Sequence, residues 1–214
     1  MHLLILGATG RTGVYGYKYA LEQGIIVVVE GSCLLEEDMQ RAFKATTTPV
    51  DAVVVFLNAQ RVGQKPWGKF IGPPGLIANS TKIATQVLRA QKHSSEGRMP
   101  RLVVMSALGV GDSYSVTPYI IRFVMKYTNV SKSYDDHNVV NNEIELNCGD
   151  EITWTLPLPV GLKGSGQQAV KTFGSTEFGA GLYITRESCA RWMVDVAAGK
   201  MGDDFDNRRV ILSN

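Results

Sequence analysis

The stretch Gly7-Ala-Thr-Gly-Arg-Thr-Gly13 carries the clearest chemistry in this sequence. It follows the apolar run Leu3-Leu-Ile-Leu6 and precedes an amphipathic segment over 14–23, so it reads as a strand-to-helix turn. Gly7 permits the tight turn, Gly10 lets the backbone approach phosphate oxygens, and Gly13 lets the helix lie close to the strand. The free amides at the helix start then face an anion, and the spacing fits the diphosphate of a dinucleotide. The hydroxyls of Thr9 and Thr12 suit phosphate oxygens. The Arg11 guanidinium suits a further phosphate on the ribose, which points to NADP, with NAD as the alternative.

The rest of the chain supplies the elements that must hold this turn. Apolar runs and helical periodicity alternate: strands over 2–6, 25–30, 51–57, 101–106, 152–158 and 209–212, and helices over 11–23, 34–45, 75–93, 117–147 (broken near Asn129) and 185–198. The expectation is one Rossmann-type α/β domain over residues 1–214, with a doubly wound, mostly parallel sheet and helices on both faces. Long Gly/Pro-containing connections at 58–74 and 159–182 are the expected substrate loops, and Trp67, Phe70, Phe173 and Phe178 there suit a planar, hydrophobic ligand. Asn58, Ala59 and Arg61 follow the buried strand over 51–57. Ligands of such sheets lie beyond the carboxyl ends of strands, so these residues are expected to border the cofactor.

Composition narrows the partners. Hydrophobic residues make up 44% and charged residues 20%, within the globular range. A net charge of +2 gives no argument for nucleic acid. No apolar stretch is long enough for a membrane span, so no membrane partner is expected. Cys33, Cys148 and Cys189 have no metal-ligand spacing, and three cysteines cannot all pair internally. With the first strand starting at residue 2 or 3, a reduced, cytoplasmic protein is expected, a monomer or homodimer acting on a small molecule with no metal.

One strand–helix unit is short. A dinucleotide fold places two such units between the glycine turn and the strand at Asp51, and only one fits. Either the 25–30 strand is the fold's second, with Glu30 on the ribose hydroxyls and NAD favoured, or it is the third and the second unit is shortened or absent.

The chain resembles the atypical short-chain dehydrogenases of the NmrA-like group, similar to the small biliverdin/flavin reductases. The residues that carry the likeness are the glycine turn, Val29-Glu-Gly-Ser-Cys-Leu with Asp51-Ala-Val-Val-Val, Val103-Val-Met-Ser106-Ala, Trp154-Thr-Leu-Pro-Leu-Pro159 and Ile184-Thr-Arg-Glu-Ser-Cys-Ala190. The resemblance favours the second reading of the short unit, with Ser32 and Cys33 flanking the adenine. It implies an NAD(P)H-dependent oxidoreductase. The alternatives in such a family are a non-redox cyclase or isomerase of secondary metabolism and an NADP-sensing regulatory protein. It places the Ser106 hydroxyl near the nicotinamide and a developing oxyanion, Arg61 along the cofactor or substrate, and the backbone of Pro157 and Pro159 as a clamp on the nicotinamide amide. The usual Tyr-x-x-x-Lys pair is missing: Phe123, Ser131 and Asn138 stand four residues beyond Tyr119, Tyr127 and Tyr134. Tyr119, Tyr134 and His137 are the remaining candidates for a proton donor. Asp135 and Asp136 read as a solvated face.

Overall fold

The computed structural model describes residues 1–28, 31–63, 65–91 and 99–214, with the backbone alone at 26–28. In chain order the elements are β1 (His2–Leu6), α1 (Gly13–Glu22), β2 (Ile26–Val28), α2 (Glu36–Phe43), β3 (Ala52–Val55), α3 (Leu76–Ala90) and β4 (Arg101–Val104). A 3-10 turn (Gly111–Val116) leads to α4 (Tyr119–Tyr127) and α5 (Ser131–Cys148). Then come β5 (Thr153–Pro159), β6 (Gly161–Leu162), β7 (Lys171–Gly174), β8 (Tyr183–Ile184), α6 (Arg186–Ala197) and β9 (Arg208–Ser213).

Seven strands form one sheet in the order β2-β1-β3-β4-β5-β9-β7. Every neighbouring pair is parallel except β7, which runs antiparallel to β9 at the edge. Successive strand residues face opposite sides. Leu3, Ile5, Val54 and Val103 pack beneath α1 and α6 with Ala20, Met193 and Ala197. Leu4, Leu6, Val53 and Val104 pack beneath α2, α3 and α5 with Phe43, Leu88 and Ile144. Burial on both faces is why these strands are continuous apolar runs. Each such side chain contributes about 1.5–3 kcal/mol. This is the doubly wound Rossmann-type α/β fold, with helices on both faces.

β2 pairs directly with β1, His2 opposite Ile26, and is the one described strand on that side. It therefore stands where a second strand would stand, while α2 carries the chain across to β3 on the far side of β1. Val29 and Glu30, on which the ribose-gripping reading depends, lie outside the described residues, as does His93 at the expected end of α3.

Two features differ from the sequence expectation. The 159–182 connection contains β6 and β7, because Lys171-Thr-Phe-Gly pairs with the buried β9 although it has one large apolar residue of its own. Pro157 and Pro159 do not terminate β5 but lie within it. Their carbonyls accept the amides of Ser106 (2.9 Å) and Leu108 (3.1 Å) beyond the end of β4, so the prolines serve the pairing as acceptors.

Candidate functional site

The chain crosses from one side of β1 to the other, so the crevice of the fold lies at the carboxyl ends of β1 and β3. The glycine turn fills the first of these positions. Gly7 has φ +82°, and a Cβ there would lie 3.1 Å from the Leu57 side chain and 3.2 Å from the Phe56 carbonyl carbon, so the turn abuts the end of β3. Gly13 is closer still: its Cβ would stand 2.1 Å from the Gly7 oxygen. Within the turn the Gly10 amide donates to Gly7 O at 2.9 Å. Among the described residues, the amides of Thr9, Arg11 and Thr12 have no protein acceptor. They form the main-chain cradle that an anion needs.

A cleft of about 310 Å³ continues from this cradle, lined by Gly7, Thr9, Ser32, Cys33, Asp38 and Leu57 among others. The sequence-expected Ser32 and Cys33 are thus brought beside the turn. The Asp38 carboxylate shapes that wall, accepting the Ser32 amide at 2.8 Å and pairing with Arg41 at 2.8 Å. Among the described residues, two buried polar atoms beyond the next strands lack any protein partner: Ser106 Oγ just past β4, and Arg61 Nη1 in the loop that follows β3. An unpaired buried donor costs about 1–3 kcal/mol, so both positions suit a polar ligand. Asn58 is exposed and Ala59 buried at the start of the same loop. Pro157 and Pro159 sit opposite Ser106, but their carbonyls are occupied by the amides named above. Pro157 holds the Ser106 main chain and Pro159 that of Leu108, so both carbonyls expected to clamp the nicotinamide already accept a bond within the sheet.

The three proton-donor candidates stand in different surroundings. Tyr119 is 86% exposed on α4, stacked against Arg122. Tyr134 donates its hydroxyl to Leu108 O at 2.9 Å, and burial pushes its ionisation up to about 12. His137 is buried in α5 with Nδ1 unpartnered; burial lowers it to about 4 against the opposing pull of Asp136, so it is a neutral ring at pH 7. Asp136 is not on a solvated face. Its carboxylate accepts the amides of Ile77 (2.8 Å) and Ala78 (2.9 Å) and caps the start of α3 from 59 residues away.

A second cleft, of about 330 Å³, opens beyond β4, with Gly109, Tyr114, Met125, Tyr134 and Asn138 in its wall. Its volume is at the lower end of the small-molecule range.

A family model described as NAD(P)H-binding matches residues 18–200. The chain belongs to the NAD(P)H-binding family. Its cofactor is therefore a nicotinamide dinucleotide, and the cradle with the orphaned donors beyond the strands fits that group. The matched span starts beyond the glycine turn, so the turn's role rests on its own geometry. A search among curated proteins returns no match. Among solved structures, the chain is similar to ChuY, an anaerobillin reductase from Escherichia coli O157:H7, with 12% identity, 100% of this chain and 97% of that one covered, and a TM-score of 0.70. It is similar to a short-chain dehydrogenase/reductase from Veillonella parvula DSM 2008 in complex with NADP, with 11% identity, coverage of 100% and 94%, and a TM-score of 0.70. A provisionally assigned NADH-flavin reductase from Streptococcus pneumoniae TIGR4 gives 16% identity, coverage of 100% and 99%, and a TM-score of 0.66. At these identities the likeness establishes the shared fold.

One residue near the cradle escaped the site reading of the sequence. Arg186, the first residue of α6, lies near enough to Arg11 that its ionisation is lowered, first by burial and then by the Arg11 charge. Neither guanidinium is in an ion pair among the described residues. The signal available was its position directly after the Thr185 cap, which accepts the Ser188 amide at 3.1 Å.

Proposed function

We propose that the protein is an NADPH-dependent oxidoreductase of the atypical short-chain dehydrogenase type, acting on a small hydrophobic or aromatic acceptor. The observation that carries this reading is the buried, unpartnered Ser106 hydroxyl at the strand end next to the crevice. The bound nicotinamide supplies hydride. The amides of Arg11 and Thr12 and the Thr9 hydroxyl hold the diphosphate. Ser32 and Cys33 flank the adenine. Ser106 donates to the acceptor oxygen as negative charge grows there, held at its angle by its own amide bond to Pro157 O. The cleft beside Tyr114, Met125 and Tyr134 takes the acceptor. With Tyr134 committed to Leu108 O and His137 neutral and buried, solvent supplies the proton. NADP is preferred to NAD because Arg11 has no carboxylate partner among the described residues.

The missing Tyr-x-x-x-Lys pair favours a second reading, a cyclase or isomerase that keeps the cofactor without net redox change. Absorbance of the reduced nicotinamide decides between them. A reductase consumes NADPH in step with reduction of a flavin or quinone acceptor. Product formed with the nicotinamide band unchanged contradicts the reductase reading.

A further inference from the structure

The exposed apolar side chains of this protein are unevenly spread. α4 has no buried residue, and Tyr119, Phe123 and Tyr127 form one stripe along it with Ile120 alongside. The 58–74 loop folds back on itself through the Arg61–Phe70 bridge and exposes Val62, Trp67 (69%) and Ile71. The two are one surface: Asn129, just after α4, donates its side-chain amide to Trp67 O (3.0 Å) and Gly68 O (3.2 Å), and Lys132 lies 6.0 Å from the Phe70 ring centre. The charge on this surface is predominantly basic, with Asp112 and Asp135 at its border. Segments 58–75 and 114–134 hold six lysines and arginines (Arg61, Lys65, Lys69, Arg122, Lys126, Lys132) and none of the chain's 20 acids.

We infer that α4 and the 58–74 loop form a peripheral docking surface for an anionic lipid bilayer. A surface helix with aromatic and aliphatic residues on one arc and basic residues beside it is the arrangement that lies in a headgroup layer. A second copy of this chain is the weaker occupant. A two-fold contact through this face would set Lys65, Lys69, Lys126 and Lys132 against their own copies. The absence of an apolar span excludes a transmembrane segment among the described helices, which is a different arrangement from docking on the surface. Docking here would turn the cleft beside Tyr114 and Met125, which Arg122 and Lys126 also line, toward the bilayer, a route for a hydrophobic acceptor.

The test is co-sedimentation of the full chain with vesicles of phosphatidylcholine alone or mixed with phosphatidylglycerol, with NADPH binding measured on the same samples. Binding to the anionic vesicles at least about tenfold above the neutral ones, weakening as salt rises, is expected. Ile120→Ser combined with Phe123→Ser is expected to lower that binding by about tenfold or more and leave NADPH affinity unchanged, as is Lys69→Glu combined with Lys132→Glu. No binding to anionic vesicles by NADPH-competent protein overturns the inference. So does a concentration-dependent dimer that the Ile120/Phe123 variant abolishes. Vesicle binding without NADPH binding overturns the cofactor reading and leaves this one standing.

Discussion

Replacing Gly13 with alanine probes the cofactor cradle with a single methyl group. The added Cβ would stand 2.1 Å from Gly7 O, 2.9 Å from Gly7 C and 3.1 Å from Ala8 Cα, all main-chain atoms. Ordinary contact begins near 3.4 Å, so the turn and the start of α1 must part by more than about 1 Å. Overpacking of this kind costs about 1–3 kcal/mol of stability. The larger effect falls on the ligand. Hydrogen bonds to a charged group contribute about 1.5–3 kcal/mol each. Misaligning the Arg11 and Thr12 amides therefore removes about 3 kcal/mol or more, a loss of at least about a hundredfold in NADPH affinity by calorimetric titration. Gly24→Ala is the control. Gly24 has φ +67° with nothing within 4 Å of an added Cβ. Alanine there costs about 1 kcal/mol of backbone strain, a fall of about 2–4 °C in Tm, with unchanged affinity. Gly13→Ala protein that folds and binds NADPH within about threefold of the parent would refute the reasoning.

Ser106→Ala removes a hydroxyl that has no protein partner, so thermal stability is expected to hold while kcat falls by about 10²–10³ and NADPH affinity stays within a few-fold; a fall in Tm with kcat unchanged contradicts the role. His137 sits at about 4 when folded against an ordinary 6.5. The unfolded chain therefore takes up a proton that the folded chain refuses between those values, and stability falls as pH drops from about 6.5 to about 4. Denaturant titrations at pH 7 and pH 4 should show the parent losing about 3 kcal/mol more than His137→Gln over that interval; equal losses would remove His137 from the account. Burial pushes the Cys148 and Cys189 thiols up to about 12, whereas Cys33 is half-buried in the cleft beside the glycine turn. Mass spectrometry after maleimide treatment should find Cys33 alone labelled in native protein, and protected by NADPH. Labelling indifferent to NADPH would take Cys33 away from the adenine.

The fold was legible wherever burial leaves a mark on composition. Ala52-Val-Val-Val and Leu102-Val-Val show no polar residue because both faces are covered, and the break between α4 and α5 falls at Asn129 as the sequence indicates. β7 was not legible. It is an edge strand, and its partner, β9, is supplied by chain about 40 residues away. Asp136 was misread for a related reason. Asp135-Asp-His-Asn138 has the composition of a solvated face, but the open amides of Ile77 and Ala78 draw Asp136 inward and His137 follows into the packing. The glycine turn, Ser32, Cys33 and Ser106 were named from local spacing and family resemblance, and their roles in binding and catalysis are proposals. Arg186 and the Pro157–Ser106 contact depend on neighbours that only the folded sheet brings together.

The central claim is that main-chain nitrogens of the first turn hold the cofactor diphosphate. Amide-resolved NMR of ¹⁵N-labelled protein during titration with NADPH tests it most directly. Large, saturable shifts of the Thr9, Arg11 and Thr12 amides, with Ser32 and Cys33 moving on the same isotherm, are the predicted result. Saturable NADPH binding that leaves those three amides unmoved would contradict it.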